Sequence, residues 1–248
     1  MLLAGVAQGC VYALVALGFV LIYKATETVN FAQGDLMMVG GFLGLAAMTI
    51  IGLPFWLAFL ATVAAMALVG MGVERVVLRP LLGQPAFTVV MMTIGIGYLA
   101  RGLVTMIPYW GTETHTLPVP FKDEVIWLGG EGKGLVMSVE HLVIILATVA
   151  LVALLYVFFR YTKLGIAMQA TSQNQLAAFY MGIPVRRVNM LIWGLSAAIC
   201  GVAGLLLAPI TFVHANMGFV GLKAFPAAVV GGFGSIPGAL VGGLVIGI

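Results

Sequence analysis

The chain has 248 residues, and its 11 Lys or Arg and 8 Asp or Glu make up only 8% of them. Hydrophobic residues account for 62%, and the mean hydropathy is +1.18. So few polar side chains cannot cover a globule in water, which excludes a soluble enzyme and a disordered protein. The two cysteines also exclude a disulfide scaffold. The composition predicts an all-α, polytopic transmembrane helical bundle, and 33 glycines favour close helix packing.

The apolar segments predict the membrane spans. A helix needs about 20 apolar residues to cross about 30 Å of hydrocarbon. Segments of this kind occupy residues 3–23, 31–51, 55–77, 86–107, 141–159 and 188–211. The tail 221–248 is apolar but rich in glycine and contains two prolines, which predicts a broken or re-entrant element followed by the start of another helix. We expect about seven to eight spans in a single transmembrane domain, residues 1–248. The last 14 residues are too short to span, so we expect this domain to be C-terminally incomplete.

The basic residues predict the orientation of the bundle. Seven fall in the loops on one side: Lys24, Arg75, Arg79, Arg160, Lys163, Arg186 and Arg187. The opposite side has only Lys122 and Lys133. The positive-inside rule places the first set in the cytoplasm and the N-terminus outside.

Two loops are longer than simple connectors. The outer one, residues 108–138, mixes proline, glycine and aromatic residues, and we expect it to lie on the outer (periplasmic) surface. The inner one covers residues 160–187. Within it, residues 164–182 are predicted to form one short helix parallel to the membrane, with an apolar stripe of Leu176, Phe179 and Tyr180. Gly182 and Pro184 are a signal for its end.

Residues 30–35 interrupt the second apolar segment with polar side chains. One interpretation is a stabilised helix start, with Asn30 as N-cap, Gln33 at capping-box spacing and Asp35 near the positive helix end. The other is a broken helix start that lines a transport route. The two interpretations are compatible.

The glycine-rich tail is the second irregular site. Non-helical backbone at membrane depth persists only where protein buries it or where it lines a water-filled cavity. The string Val-Gly-Gly-Phe at 39–42 recurs at 230–233, a weak indication of an internal repeat. Arg101, towards the outer end of the fourth span, is expected to extend to the lipid headgroups rather than to contact substrate.

Nucleotide and metal motifs are missing from the sequence. There is no Walker A loop, and the three histidines have no metal-binding spacing. The sequence therefore predicts no metal site and no ATP hydrolysis by this route.

Three separated motifs resemble one family. Residues 11–23 with Asn30-Phe31-Ala32-Gln33-Gly34-Asp35 resemble the start of permeases of branched-chain amino-acid ABC importers, of the H-type Liv subunit. Residues 164–183 resemble the cytoplasmic loop of that family, and the glycine-rich tail resembles its C-terminal region. The family usually has His where Gln33 stands, and it usually continues beyond the last residue of this chain.

The resemblance implies a transport subunit rather than an enzyme. It would move branched-chain (hydrophobic) amino acids across the bacterial inner membrane by alternating access. The implied partners are a homologous second permease, two cytoplasmic ATPases that hydrolyse ATP and an extracytoplasmic amino-acid-binding protein, with no cofactor and no nucleic acid. Permeases for urea and short-chain amides and for ribose are similar, so the amides remain an alternative substrate class. A secondary transporter and a passive channel are rival functions.

The resemblance also implies two sets of site residues. The coupling loop that would contact the ATPase includes Leu164, Gly165, Ala170, Asn174, Ala177, Ala178 and Gly182. The translocation pathway would include Asn30, Phe31, Gln33, Gly34, Asp35, Gly231 and Gly232.

Overall fold

A computed structural model describes residues 2–81, 84–111, 113–121, 124–128 and 135–248. Its α-helices are α1 (Leu2–Thr26), α2 (Gln33–Thr49), α3 (Phe55–Val73), α4 (Ala86–Met106), α5 (Val139–Tyr161), α6 (Lys163–Gln173), α7 (Gln175–Tyr180), α8 (Val185–Thr211), α9 (Val220–Gly231) and α10 (Ile236–Gly247). A π-helical turn (Glu74–Leu78) and a 3-10 turn (Arg79–Leu81) extend α3, and a second 3-10 turn (Ala215–Phe219) precedes α9. The strands are β1 (Val125–Leu128) and β2 (Leu135–Ser138).

Five helical segments in the described ranges are long and apolar enough to cross a membrane. They are Leu3–Thr26, Phe55–Leu81, Ala86–Met106, Val139–Tyr161 and Val185–Thr211. Three further apolar helices are shorter: α2 has 17 residues, and α9 and α10 have 12 each. The prediction of an all-α membrane bundle is therefore confirmed, whereas a count of seven to eight spans is not.

Helices α1 and α8 form the centre of the bundle. In each, 83% of the most apolar stretch is buried, against 17–22% in α3, α4 and α5. Glycines explain the tight packing around α1 because they let a neighbouring backbone approach. A Cβ atom on Gly9 would lie only 3.1 Å from the carbonyl oxygen of Gly243 in α10. The less buried faces of α3, α4 and α5 lie on the surface of the chain.

Helix α2 begins, and the first turn of α9 lies, beside Gly18, which is nearer to the Thr26 end of α1 than to the Leu2 end. The Ser196 hydroxyl, midway along α8, donates to the carbonyl oxygen of Gly18 in α1, 3.0 Å away. The Gln33 side chain at the start of α2 donates to that hydroxyl at 2.9 Å. After α1 ends at Thr26, the chain therefore turns back along α1 before α2 begins. Helix α9 starts beside the same point, because Gly221 packs against Gly34.

The predicted N-cap of α2 is wrong. The residue before the helix is Ala32, and its side chain makes no capping hydrogen bond. Asn30 lies two residues earlier and forms an Asx-turn, in which its Oδ1 accepts the N–H of Ala32 at 3.1 Å. The two side chains, three residues apart, still interact directly, because Asn30 Nδ2 donates to Gln33 Oε1 at 2.9 Å.

The prediction of one helix over residues 164–182 is also wrong, because the chain breaks at Asn174. Its backbone is extended (φ −158°, ψ 104°), and its side chain accepts the N–H of Ala177 at 2.9 Å, which caps α7. An asparagine that can cap the following helix competes with continuation of the preceding one. The predicted end is confirmed: α7 stops at Tyr180, and Gly182 has a φ of +81°.

The tail has the predicted break. Helix α9 ends at Gly231, Gly232 has a φ of +82°, and α10 begins at Ile236 after Ser235 caps it. Helix α10 runs back along α1, so that Gly243 lies beside Ala13 and Gly247 beside Gly9.

The outer loop contains a hairpin where the sequence predicts only a loop. Strands β1 and β2 pair antiparallel, with Val125 opposite Ser138. His115 forms an isolated β-bridge with Val213, which ties this loop to the end of α8. The two basic residues predicted for this side, Lys122 and Lys133, lie outside the described residues.

The junction of α2 and α9 predicts a position-specific glycine requirement. A Cβ atom on Gly34 would clash with the carbonyl oxygen of Gly218 and lie 2.9 Å from the Cα of Gly221. We expect Gly34→Ala to lower the free energy of unfolding by about 1–3 kcal/mol, because neither backbone is free to give way. Thermal unfolding of the detergent-solubilised protein measures the effect. Gly95→Ala is the matched control, since nothing lies within 4 Å of that position, and equal stability of the two variants would contradict the prediction.

Candidate functional site

A buried polar network holds the start of α2 inside the bundle. Asn30, Gln33 and Ser196 are each fully buried. The amide of Asn30 bonds to Gln33, Gln33 bonds to Ser196, and Ser196 bonds to the backbone of Gly18. Buried polar groups are stable only when they are hydrogen-bonded, and this chain of bonds meets that need without any charge.

The first turns of α2 and α9 meet at glycines. Gly34 contacts Gly218 and Gly221 so closely that a side chain at any of the three would clash with backbone or with Asp35. From this junction α2 runs towards the end of the bundle that holds Leu2, and α9 runs towards the end that holds Thr26. The N-terminus of α2, which carries a partial positive charge from unpaired N–H groups, therefore lies beside the first turn of α9, and α9 itself continues the 3-10 turn Ala215–Phe219.

An ion pair lies next to this junction. Arg101 Nη2 donates to Asp35 Oδ1 at 2.8 Å, and the two side chains are 23% and 14% exposed. The Arg101 guanidinium also stacks over the Phe219 ring, 4.4 Å from its centroid. Gly97 and Gly218 leave room for the carboxylate, because a Cβ atom on either would clash with it.

The expectation that Arg101 extends to the headgroups is therefore wrong. It pairs with Asp35 because a partner of opposite charge, together with an aromatic ring, offsets the cost of holding a guanidinium within the bundle. Sequence separation hid this partner: Asp35 and Arg101 are 66 residues apart and lie on different helices.

A cavity of about 220 Å³ surrounds the ion pair. Its lining consists of Phe31, Gly34, Asp35, Ile94, Tyr98, Arg101, Gly218, Phe219 and Leu222. The Tyr98 and Leu222 side chains are exposed, so the cavity opens on the surface of the chain. Lys223, the next residue of α9, is exposed as well. The cavity thus presents both signs of charge beside an apolar wall.

The residues predicted for the translocation pathway divide into three groups. Phe31, Gly34 and Asp35 line the cavity. Asn30 and Gln33 lie in the buried network behind it. Gly231 and Gly232 lie at the far end of α9, where Gly231 packs against Gly238, and the structure does not bring them to the cavity.

Several cavity residues were not predicted from the sequence. Tyr98, Gly218, Phe219 and Leu222 have no signal of their own in one sequence. Arg101 has one, because an ionisable residue within an apolar span indicates a functional site by default.

The predicted coupling-loop residues lie together at the Thr26 end of the bundle. Leu164, Asn174, Ala177 and Gly182 are exposed, Ala170 is half-buried, and Gly165 and Ala178 are buried. The apolar stripe of Leu176, Phe179 and Tyr180 faces outward, with 64%, 65% and 77% of each residue exposed. The stripe borders a groove of about 720 Å³, lined by Gln175, Leu176, Phe179, Pro184, Val185, Arg186 and Arg187. It is an apolar surface with a basic rim.

The part of the chain that the structure describes contains no cluster of three His, Cys, Asp or Glu side chains placed to hold a metal ion.

The polar network predicts a specific loss of stability. Ser196→Ala removes the partner of the Gln33 amide and leaves that group buried without a hydrogen bond. We expect the free energy of unfolding to fall by about 1–3 kcal/mol. The thermal unfolding midpoint measures this. Ser172→Ala is the control, because its hydroxyl bonds to Gln169 in an exposed position. A Ser196→Ala midpoint no lower than that of Ser172→Ala would refute the importance of the network.

Comparison with known proteins gives one consistent family. The model of the branched-chain amino acid transport system permease component matches residues 1–248. The high-affinity branched-chain amino acid transport system permease protein LivH of Escherichia coli K12 is 32% identical over 98% of this chain and 82% of that protein. Its counterpart BraD of Pseudomonas aeruginosa is 29% identical over 100% and 83%. A probable LivH of Methanocaldococcus jannaschii is 32% identical over 95% and 74%. No solved structure matches the chain.

Proposed function

Because the chain belongs to the family of branched-chain amino acid transport permease components, we propose that it is a membrane subunit of an ABC importer for these amino acids. It is a multi-pass membrane protein with five apolar helical segments of spanning length among its described residues. In the proposed mechanism the subunit alternates between outward-open and inward-open states. ATP is hydrolysed on partner subunits.

The junction of α2 and α9 is the observation that supports a transport route most directly. Helix α2 begins inside the bundle, and its N-terminus meets the first turn of α9 beside a cavity that opens on the protein surface. Half-helices of this kind occur in transporters, where their ends provide dipoles for a polar solute at membrane depth. The amino acid would pass along the face of α9 that exposes Leu222 and Lys223, at the contact with a second permease subunit.

The basic residues support the proposed orientation. All seven that the sequence assigns to one side lie at the Thr26 end of the bundle, where α1, α3 and α5 end and α4 and α8 begin. The positive-inside rule makes this end cytoplasmic and the Leu2 end external.

The exposed stripe of α7 supports docking of a partner ATPase. Three side chains of this stripe do not pack into the core of the chain, although they lie at the end of the bundle where water is expected. They are Leu176, Phe179 and Tyr180. A short amphipathic helix in a partner's groove would bury them. Because Arg186 and Arg187 border the same surface, an acidic rim on the ATPase groove would complement it.

Uptake by the reconstituted assembly tests the function. We expect proteoliposomes with this chain, a second permease, the ATPases and the binding protein to take up labelled leucine only when ATP is supplied. Excess valine should compete and urea should not. Proteoliposomes with this chain alone should take up none, because in the proposed mechanism the energy comes from ATP hydrolysis on the partner subunits. ATP-independent uptake by the chain alone would favour a secondary transporter or a channel.

Charge placed on the exposed face of α7 tests the docking surface. We expect Ala177→Glu to reduce co-purification of the ATPase at least about tenfold, because a carboxylate would have to be desolvated at an apolar contact. Ala178 is unsuitable for this test, because it is buried and its substitution would disturb the fold. Gln84→Glu adds the same charge at an exposed position between α3 and α4, outside the coupling loop, and should leave association unchanged. Normal assembly of the Ala177→Glu variant would contradict the docking model.

A further inference from the structure

We propose that the cavity between α2, α4 and α9 is a binding subsite for the charged end of an α-amino acid. In this subsite Arg101 binds the carboxylate and Asp35 binds the ammonium group. The inference rests on the proposed transport function and deepens it, because it assigns zwitterion recognition to two residues of the permease itself.

The spacing of the two charges supports this ligand. An α-amino acid has its ammonium and carboxylate groups on one carbon atom, so a site for both needs an acid and a base close to each other. Arg101 and Asp35 are 2.8 Å apart, and both side chains are partly exposed to the cavity. A ligand with a single charge would leave one of them unpaired, which is costly away from bulk water. A zwitterion replaces the Asp35–Arg101 ion pair with two ion pairs, one between its carboxylate and Arg101 and one between its ammonium group and Asp35.

Arg101 retains capacity to bind a carboxylate. A guanidinium has five N–H donors, and the contact with Asp35 uses one nitrogen, Nη2. Its Nε has no hydrogen-bond partner among the described residues but is buried away from the cavity, so the available donors are those on the two Nη atoms. Because one nitrogen holds Asp35, other donors remain for a second carboxylate. The adjacent N-terminus of α2 adds partial positive charge, which also favours the carboxylate of the substrate.

The remaining wall of the cavity suits an aliphatic side chain. Phe31, Ile94, Phe219 and Leu222 contribute apolar surface, and Tyr98 contributes its ring. Leu222 is 56% exposed at the mouth, so a branched side chain that extends from the charged end would lie against it. Charged groups deep in the cavity and apolar groups at its mouth match the two ends of leucine, isoleucine or valine.

An ion pair that only fastens α4 to α2 is the competing explanation. The Arg101→Gln and Asp35→Asn variants separate the two explanations, because each keeps a hydrogen-bonding side chain of similar size but removes one charge. Arg79→Gln is the control: it removes the described ion pair with Glu74, which lies away from the cavity. The measured quantity is leucine taken up per ATP hydrolysed by the complete reconstituted assembly.

On the binding model, Arg101→Gln and Asp35→Asn each lower leucine uptake per ATP at least about tenfold, the loss expected for one charge-assisted contact. Uptake is compared per assembled complex, which the amount of co-purified ATPase measures, so that a loss of assembly is scored separately from a loss of binding. Arg101→Lys restores part of the uptake because it restores the charge, and Arg79→Gln leaves the ratio unchanged. Unchanged uptake per ATP in Arg101→Gln and Asp35→Asn would overturn the proposal.

A steric variant covers the case in which the charge variants fail to assemble. Leu222→Trp narrows the mouth of the cavity at an exposed position and leaves the ion pair intact. On the binding model it lowers uptake of leucine at least about tenfold relative to alanine. If the variant takes up leucine and alanine in the same ratio as the wild type, the proposal is overturned. If the wild-type assembly takes up no leucine at all, the proposed function fails instead, so the two failures are distinguishable.

Discussion

The contact between Gly34 and the Gly218–Gly221 turn is the constraint on which the central architecture depends. It lets α2 begin against the first turn of α9 inside an apolar bundle, with no side chain between the two backbones. The unpaired N–H groups of α2 then lie inside the bundle, where polar backbone persists only if protein or water satisfies it. The ion pair lies at this point because the partly positive start of α2 and the Arg101 guanidinium both stabilise the Asp35 carboxylate.

The rest of the chain supports that junction. Helices α1 and α8 form the buried centre, and Ser196 and Gln33 fix the start of α2 against them by hydrogen bonds. Helix α4 brings Arg101 to Asp35 and presents its other face outward. At the Thr26 end, α6 and α7 carry an exposed apolar stripe next to the start of α8. Any partner that moves α7 therefore acts on a helix, α8, that reaches the polar network.

Local signals predicted elements well where one sequence feature decides the structure. Gly182 follows the end of α7 as expected, and Gly232 lies at the break expected in the tail, because both adopt a positive φ that glycine tolerates without strain. Asn174 shows the limit of this reasoning. Its neighbours form an acceptable helical pattern, yet its side chain caps α7 and divides the predicted helix in two. Asn30 was misplaced as a cap for a similar reason, since its side chain had a competing local bond with Ala32.

The sequence alone determined the environment, the orientation signal and the helical class, because each depends on composition and on periodicity along the chain. It also singled out residues 30–35 as irregular. Only the tertiary structure paired Asp35 with Arg101, 66 residues away, and brought Gly34 to Gly218 and Gly221. It also separated Gly231 and Gly232 from that site. The reason is geometric: contacts between helices follow from how glycine surfaces and polar groups fit across the bundle, and no local pattern encodes which distant partner satisfies them.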